Sequence, residues 1–401
     1  MRQYLMTERA HFMCPNMHFG MIAEIEKKYE KVKVEAVLER MAEAHPFLKV
    51  LIDYEDGTDK LYYRVTEHSQ INLRIQEKTS ELWEDYKEIS KSDWNVFENG
   101  LLKVYVYPKK QGMTVLFIAS HLLADGRGLL DLVQEFANDY VEDIRPVYVE
   151  EQLLESIHDL PSGSGLSWIS KILIRQINKQ WKKESQFVTY DIYRKFAEIY
   201  SKEHPVKYKS YEMDSKEVVC MKELCKANNL TMNDLLMAHM FLKTGTDKII
   251  IAADIRNVFA KYKKGAMGNY ATAFGILYKG KRSNLIKTAE DVHGLVQKCM
   301  KNNRTLMMIL ACYFEMDPTL LDAAAISALG GFKSKAGSFA GEKILGLDSP
   351  RTYSITNLGK CENKNMSSLI FIPPASPAVK LTLGVVTLNG IMRACSSENV
   401  V

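Results

Sequence analysis

Apolar and polar positions follow two periods along the chain, and they predict strands and amphipathic helices that alternate irregularly. Apolar runs bounded by turn residues predict strands over 47–54, 61–65, 101–107, 113–120, 206–213, 248–253, 271–278, 354–358, 368–372 and 380–388. Helical spacing of apolar residues predicts helices over 33–44, 128–140, 167–183, 214–228, 231–242 and 289–304. The Ala- and Gly-rich stretch 318–347 has weak periodicity and receives no assignment. Irregular alternation favours mixed α/β (α+β) lobes over a doubly wound sheet.

The length of 401 residues exceeds that of one ordinary compact core, so two lobes are expected. After residue 140 an acidic stretch leads into a break at 161–165 that contains proline, serine and glycine. We therefore predict an N-terminal lobe over 1–160, a connector with an amphipathic helix over 161–185, and a C-terminal lobe over 186–401.

Composition narrows the class of protein. The net charge of +4 is too small to predict nucleic-acid binding, for which a clustered basic face is expected. Seven cysteines occur without a CxxC pair, and the histidines show no metal-binding spacing, so we predict neither a disulfide framework nor a metal site. No apolar run approaches the roughly 18 residues of a membrane span, and the N-terminus lacks a run of signal-peptide length. The sequence thus predicts a cytoplasmic protein without a transmembrane segment.

One short motif carries candidate chemistry. The strand predicted over 113–120 ends at His121, and Asp125-Gly126 follows before the next helix. Histidine titrates near neutral pH and can act as a general base. Asp125 could orient the imidazole, or it could hold the loop by pairing with an arginine. Gly126 is expected to supply a backbone angle that other residues resist.

The residues His121 to Gly126 resemble the HxxxDG motif of an acyltransferase superfamily. That superfamily contains chloramphenicol acetyltransferase, nonribosomal peptide condensation domains, the plant BAHD enzymes and alcohol acetyltransferases. Further segments resemble it in the same order: 45–50, 231–236, 254–256 with 268–270, and 356–359. Ser120 stands where condensation domains usually carry a first histidine, which favours a free-standing acyltransferase. The DFGWG segment of the plant enzymes is not found, and members usually continue with one more helix beyond 394–401.

The resemblance implies two chloramphenicol acetyltransferase-like lobes, each a mixed sheet flanked by helices, with a channel between them. His121 would deprotonate a hydroxyl or amine acceptor, a small molecule, which attacks an acyl thioester without forming an acyl-enzyme. No permanently bound cofactor is implied; acyl-CoA, or an acyl carrier protein, is the co-substrate. One chain supplies both lobes, so a monomer suffices.

The resemblance also implies roles for the other site residues. Asp125 is expected to turn away from the channel and pair with Arg256. Asn269 and Tyr270 are expected to line the channel or support it, and Asn357 to lie in a strand near the cleft. The backbone N–H of Gly126 is expected near the developing oxyanion.

Two alternatives to a CoA-dependent acyltransferase stay open. A carrier-protein-bound acyl donor would dock its acidic surface near Lys171, Arg175 and Lys179. The chain could instead be a non-catalytic binding protein of the same fold, against which the intact motif argues.

The helix predicted over 167–183 has an apolar stripe and a basic side. We expect the stripe to pack on the core. Two other interpretations are that the helix covers the channel mouth, or that the basic side of the helix contacts an anionic membrane or an acidic carrier protein. The stripe consists of Trp168, Ile169, Ile172, Leu173, Ile177 and Trp181. The basic side consists of Lys171, Arg175, Lys179, Lys182 and Lys183.

Overall fold

The computed structural model describes residues 2–91, 94–282, 284–348 and 352–400. The strands are β1 (Gln3–Tyr4), β2 (His18–Ile25), β3 (Val50–Tyr54), β4 (Leu61–Val65), β5 (Asn72–Ile75), β6 (Leu102–Lys109), β7 (Gly112–Ser120), β8 (Val206–Met213), β9 (Lys248–Asp254), β10 (Ala271–Leu277), β11 (Tyr353–Cys361), β12 (Ser368–Ile372), β13 (Leu381–Leu388) and β14 (Ile391–Asn399). The α-helices are α1 (Arg9–Phe12), α2 (Lys31–Ala44), α3 (Leu82–Lys91), α4 (Gly126–Glu142), α5 (Trp168–Glu184), α6 (Tyr190–Glu203), α7 (Ser215–Ala227), α8 (Met232–Thr244), α9 (Leu285–Met300), α10 (Asn303–Leu306), α11 (Met308–Glu315), α12 (Pro318–Ala328) and α13 (Lys335–Phe339). Short 3₁₀ turns lie at Pro46–Lys49, Thr79–Glu81, Ile157–Asp159 and Arg256–Val258, and a π turn lies at Ala340–Ile344.

A five-stranded sheet in the order β12-β2-β7-β6-β5 carries the strand that leads to the motif. Every residue of β7 is buried, because both faces of the strand are covered. Phe117 packs in the main core, with its ring edge on Phe136 of α4. Leu116 and Ile118 point to the other face and join a cluster with α3. A strand covered on both faces is a continuous apolar run in sequence, and this run ends where His121 begins.

A second large sheet has the order β10-β9-β11-β13-β14-β8, and a small sheet has the order β1-β4-β3. Strand β12 follows β11 in the chain, yet it pairs antiparallel with β2 of the first sheet. Strand β13 then returns to pair parallel with β11. The mixed α/β fold class is therefore confirmed, with a strand from the C-terminal half added at the edge of the N-terminal sheet. The predicted domain limits stay predictions.

A buried ionic cluster joins the end of α2 to α4 and to the stretch that follows α4. The Nδ1 of His45 lies 2.8 Å from Glu151 Oε1, and its Nε2 lies 2.7 Å from Glu135 Oε2. The Glu151 carboxylate also accepts hydrogen bonds from the backbone N–H groups of Phe47 and Met267. Burial alone lowers the pKa of His45, but the hydrogen bonds to both carboxylates outweigh it and raise the pKa to about 9. His45 is therefore charged at neutral pH.

Most predicted elements are present with shifted ends, and two differences have clear causes. The strand predicted over 47–54 begins as a 3₁₀ turn, because Pro46 fixes its own backbone angle and favours a turn. Helices α3 and α6 and strand β14 were not predicted. The unassigned stretch 318–347 forms α12, α13 and the π turn. Its small residues allow close helix contact: a Cβ on Gly341 would lie 2.2 Å from the carbonyl oxygen of Ala324.

Helix α5 corrects the expectation that its whole apolar stripe packs on the core. Ile177 and Trp181 are buried together with Ile174, and the indole N–H of Trp181 donates to Thr319 at 2.8 Å. The helix packs against α11 and α13 through this face, so the rest of the stripe turns outward. The exposed members are Trp168, Ile169, Ile172 and Leu173. Within the described residues, no helix has both the length and the apolar character needed to cross a membrane.

Candidate functional site

The imidazole of His121 lies at the end of β7 between two aromatic rings. The backbone N–H of His121 donates to the carbonyl of Met17 at 2.9 Å, which ties the residue to the start of β2. The ring of His11 stacks on the imidazole with centroids 4.3 Å apart and planes 20° apart. The ring of Phe19 meets it edge-on at 5.1 Å. These contacts fix the ring plane of His121.

Asn269 determines which nitrogen of His121 carries the proton. Its Nδ2 donates to the carbonyl oxygen of His121 at 2.9 Å, and its Oδ1 lies 2.9 Å from His121 Nδ1. An amide oxygen can only accept, so Nδ1 is the donor and the neutral imidazole has its lone pair on Nε2. No hydrogen bond to Nε2 comes from the residues that the structure describes. That nitrogen is therefore free to accept a proton.

The pKa of His121 keeps the imidazole neutral. Burial lowers this pKa below 6.5, while the hydrogen bond to Asn269 and the charge of Asp125 act in the opposite direction without restoring it. The pKa of His11 is also well below its usual value, because the ring is buried and lies beside His121. At neutral pH both rings are uncharged, and an uncharged imidazole is the form that acts as a base.

Asp125 holds the loop rather than the imidazole. It caps helix α4, where its Oδ1 accepts from the backbone N–H of Gly128 at 2.9 Å. The guanidinium of Arg256 donates to both carboxylate oxygens at 2.8 and 3.1 Å, and it also pairs with Asp254. Asp125 and Arg256 are 3% and 5% exposed. In the described part of the chain no hydrogen bond joins Asp125 to His121, so of the two roles left open the arginine pair is the one present.

The segment of Gly268, Asn269 and Tyr270 binds the motif loop with each of its three residues. The carbonyl of Gly268 accepts from the N–H of Asp125 at 3.1 Å, and the N–H of Tyr270 donates to the Asp125 carboxylate at 2.9 Å. Asn269, between them, holds His121. Gly268 has a φ of +145°, and a Cβ there would lie 2.9 Å from the ring of Tyr270. The Tyr270 side chain is buried and its hydroxyl donates to a backbone carbonyl, so this residue supports the loop.

Gly126 begins α4 and is not among the glycines with positive φ, which corrects the expectation of an unusual backbone angle. The requirement for glycine is steric. A Cβ at this position would lie 2.9 Å from Leu358 Cδ2 and 3.1 Å from Phe371 Cζ. Glycine therefore lets β11 and β12 approach the start of the helix closely.

Asn357 lies on β11 beside an irregularity in its pairing with β13. Its Nδ2 donates to the side-chain oxygen of Asn233 at 2.7 Å, and its Oδ1 accepts from the N–H of Gly359 at 2.8 Å. Among the described residues it makes no hydrogen bond to His121 or Asp125. The structure thus brings Asp125, Arg256, Asn269 and Tyr270 together around the motif, and it leaves Asn357 outside that network.

A cavity of about 380 Å³ is lined by His11, the ring that stacks on His121. Ser120 and Leu122, on either side of His121, also line it. Apolar and aromatic side chains form part of its wall, among them Phe12, Met17, Ile89, Trp94, Val96 and Tyr193. Charged residues of α6 complete it: Asp191, Arg194, Lys195 and Glu198. Sequence reasoning missed His11, because nothing in the local pattern around it indicates a contact 110 residues away.

Glu8 is a second residue that sequence reasoning missed. Its side chain is buried, its Oε1 accepts from the hydroxyl of Thr7 at 3.1 Å, and its Oε2 has no hydrogen-bond partner. Burial raises the pKa of Glu8 to about 7, although its own backbone N–H and the nearby Thr7 and Asn269 side chains act against this. A titratable carboxyl therefore lies beside the asparagine that orients His121.

Among the described residues, no group of three or more His, Cys, Asp or Glu side chains could hold a metal ion.

Comparison with known proteins identifies the fold. No protein-family model matches the chain, and no curated protein matches it. Solved structures do: trichothecene 15-O-acetyltransferase from Fusarium sporotrichioides matches over 99% of this chain and 90% of its own, with a TM-score of 0.63 and 10% identity. Polyketide synthase associated protein 5 from Mycobacterium tuberculosis matches over 100% and 93%, with a TM-score of 0.58 and 12% identity.

A third match is the starter condensation domain of rhizomide synthetase, solved in complex with C8-CoA and Leu-SNAC. It matches over 98% of this chain and 86% of its own, with a TM-score of 0.57 and 12% identity. The chain therefore has the two-lobed fold shared by condensation domains and chloramphenicol acetyltransferase-like acyltransferases, as the motif resemblance predicted.

Proposed function

We propose that this protein is an acyltransferase that moves an acyl group from a thioester donor, acyl-CoA, to a hydroxyl or amine acceptor. The observation that carries the proposal is the arrangement around His121: a neutral imidazole with Nδ1 held by Asn269 and Nε2 left as a base. Its stacking partner His11 and its chain neighbours Ser120 and Leu122 line a cavity. The fold supports it, since two of its solved examples are an acetyltransferase and a condensation domain bound to C8-CoA. Fold alone does not determine chemistry, so the argument depends on the site.

The proposed reaction needs one base and no covalent enzyme intermediate. Nε2 of His121 takes the proton of the acceptor O–H or N–H as the acceptor atom bonds to the thioester carbonyl carbon. The carbonyl π electrons move to oxygen and give a tetrahedral oxyanion. When the C=O bond reforms, the C–S bond breaks and the leaving thiolate takes the proton from Nε2. General-base assistance of this kind contributes about 10²- to 10⁴-fold, and holding both reactants in line contributes at best about 7–11 kcal/mol.

The loop that follows His121 has two supporting roles in this mechanism. The Asp125–Arg256 pair and the N–H of Tyr270 fix the loop, and so fix the position of the imidazole relative to the start of α4. The N-terminus of α4, a helix of 17 residues, presents backbone N–H groups with positive partial charge. We assign the N–H of Gly126 to the oxyanion, which such a donor stabilises.

The test is release of free thiol from a panel of acyl-CoAs mixed with alcohols and amines. We expect turnover that requires an acceptor, and a loss of about 100-fold or more in kcat in His121→Ala. His239→Ala is the matched control, because His239 is an exposed histidine on α8 whose side chain forms no hydrogen bond within the described residues. The activity of this variant should equal that of the wild type. Thiol release that His121→Ala leaves unchanged would refute the assignment of the base.

A carrier-protein donor is the second candidate, and the same assay separates it from acyl-CoA. If turnover requires an acceptor and occurs with acyl carrier protein but with no acyl-CoA, the donor is the carrier protein. The role of His121 as the base is then unchanged. No turnover with either donor, but tight binding of an acyl-CoA that His121→Ala leaves intact, would assign the fold to a non-catalytic binding protein.

A further inference from the structure

The exposed half of α5 combines large apolar side chains with unpaired cations. Trp168 and Ile169 are 71% and 61% exposed, and Ile172 and Leu173 are also exposed. Trp168 with Ile172, and Ile169 with Leu173, are four residues apart and therefore adjacent on the helix surface. They form one continuous patch over the first two turns, which we call the α5 patch. Single exposed apolar residues are ordinary, but a contiguous patch of this kind marks an interaction surface.

Cations continue and flank the α5 patch. Lys179 and Lys183 follow on the same face, seven and eleven residues after Ile172, and both are exposed. Arg175 and Lys182 lie along one side. Within the described residues, none of these four cations has an ion-pair partner, whereas Lys171 pairs with Glu315 of α11. The single acidic residue of α5, Glu184, faces the protein, where it accepts from Ser334 and from the N–H of Ala336.

We propose that the α5 patch docks this protein on an anionic lipid bilayer. A surface that pairs tryptophan and branched aliphatic side chains with lysine and arginine suits a partner with a negative surface above an apolar interior. The apolar side chains enter the boundary between headgroups and acyl chains, and the cations contact the headgroups. The opposite face, with Ile174, Ile177 and Trp181, stays packed on the protein, so docking requires no unfolding.

Two other occupants fit the surface less well. A second copy of the chain would bring the same unpaired cations together across a symmetric contact, which is unfavourable. An acidic protein would satisfy the cations but offers no reason for four adjacent apolar side chains that include an exposed tryptophan. The proposal concerns a surface remote in sequence from His121, and it does not depend on the proposed acyltransferase activity.

Vesicle co-sedimentation of the full chain tests the proposal. We expect binding to vesicles of phosphatidylcholine with about 30% phosphatidylserine, weaker binding as salt rises, and little binding to phosphatidylcholine alone. Each cation near an anionic bilayer changes the affinity about fivefold, so the triple variant Arg175→Glu/Lys179→Glu/Lys183→Glu should bind more than about a hundredfold more weakly. Ile169→Asp/Ile172→Asp should also lose binding, because it places charge in the apolar layer.

Helix α7 provides the matched control. It too exposes apolar and basic side chains, Val219 and Leu224 with Lys216, Lys222 and Lys226, but glutamates are interspersed among them. Val219→Asp and Lys216→Glu/Lys222→Glu/Lys226→Glu should bind vesicles like the wild type. All substituted residues are exposed, and circular dichroism with thermal unfolding checks that each variant is folded.

Tryptophan fluorescence locates the contact. Brominated lipid in the anionic vesicles should quench the emission of the wild type, and Trp168→Phe should lose most of this quenching while it still sediments with the vesicles. The proposal is overturned if the wild type does not bind anionic vesicles, or if the α5 variants bind as tightly as the α7 controls. A wild-type dimer that Ile172→Asp dissociates would also overturn it and assign the patch to a second copy.

Discussion

Asn269 provides the sharpest test of the site, because two substitutions should move the pH dependence in opposite directions. Asn269→Ala removes the acceptor for Nδ1–H of His121 and the donor to its carbonyl. Asn269→Asp keeps an acceptor and adds a negative charge. The buried carboxyl of Glu8 lies near Asn269 and would titrate together with an aspartate at that position. Both variants are therefore made in a Glu8→Gln background, which removes this second carboxyl.

The size of the effect follows from the two hydrogen bonds, both 2.9 Å long. Each hydrogen bond contributes about 0.5–1.5 kcal/mol net. The loss of both therefore removes about 1–3 kcal/mol of the interaction energy that holds the imidazole in place. If that stabilisation is fully expressed in the transition state, kcat/KM falls about 5- to 150-fold in Asn269→Ala. Without Asn269 the proton is also free to move to Nε2, which converts the base into its inactive tautomer.

The signs of the pH shifts follow from the pKa of His121. The base is active when neutral, so activity falls on the acid side as the imidazole is protonated. The Asn269 hydrogen bond raises this pKa, so in Asn269→Ala the acid limb of kcat/KM should move to lower pH. A carboxylate favours the imidazolium, so in Asn269→Asp the limb should move to higher pH.

The assay is the pH profile of kcat/KM for thiol release, with Asn228→Ala and Asn228→Asp as controls. The Asn228 amide also donates to a backbone carbonyl, at 2.8 Å, but at the end of α7. Its variants should leave the profile unchanged. Acid limbs that shift in the same direction, or that do not shift while activity falls, would show that Asn269 acts on folding alone and would refute the tautomer argument.

Two further predictions concern stability. Gly126→Ala should reduce the free energy of unfolding by about 1–3 kcal/mol, because the new Cβ overlaps two packed side chains. The control is Gly294→Ala, where the space around the helix is open, and denaturant titration should show a gain in this free energy of about 0.5–1 kcal/mol. Folding raises the pKa of His45 to about 9. The charged imidazole therefore adds to the free energy of unfolding in full below about pH 6.5, and this stabilisation is lost as the pH rises through about 9. Between about pH 6.5 and 9 the free energy of unfolding of the wild type, measured by denaturant titration, should fall by about 2–3 kcal/mol more than that of His45→Asn. The same pH dependence in both proteins would contradict a buried charge on His45.

The local sequence pattern was sufficient to predict the strand and the turn that carry His121. The continuous apolar run of β7 predicts a strand covered on both faces, and it ends at the histidine where the structure ends the strand. The Thr231-x-x-Asp234 pattern, a local signal of a helix start, forms a capping box at the start of α8. Strands β4, β8 and β12 match their predicted limits. Such features depend on neighbouring residues alone, which is why the sequence contains them.

The partners of the motif could not be derived from local pattern, because they come from distant parts of the chain. Asn269 lies 148 residues from His121, and Arg256 lies 131 residues from Asp125. The pairing of Arg256 was expected only from family resemblance, and the contact of Asn269 with His121 was not expected. Periodicity describes which face of an element is apolar, but it does not say what covers that face.

The sequence by itself determined the strand–histidine–turn–helix order, the mixed α/β class and the amphipathic character of α5. Only the tertiary structure decided which nitrogen of His121 is the base, that His11 stacks on it, that Gly126 is required for space, and which half of the α5 stripe is exposed. The physical reason is the range of the interactions. Helix caps and strand periodicity arise within a few residues, whereas a tautomer, a ring stack or a buried face depends on side chains that folding brings together from more than a hundred residues apart.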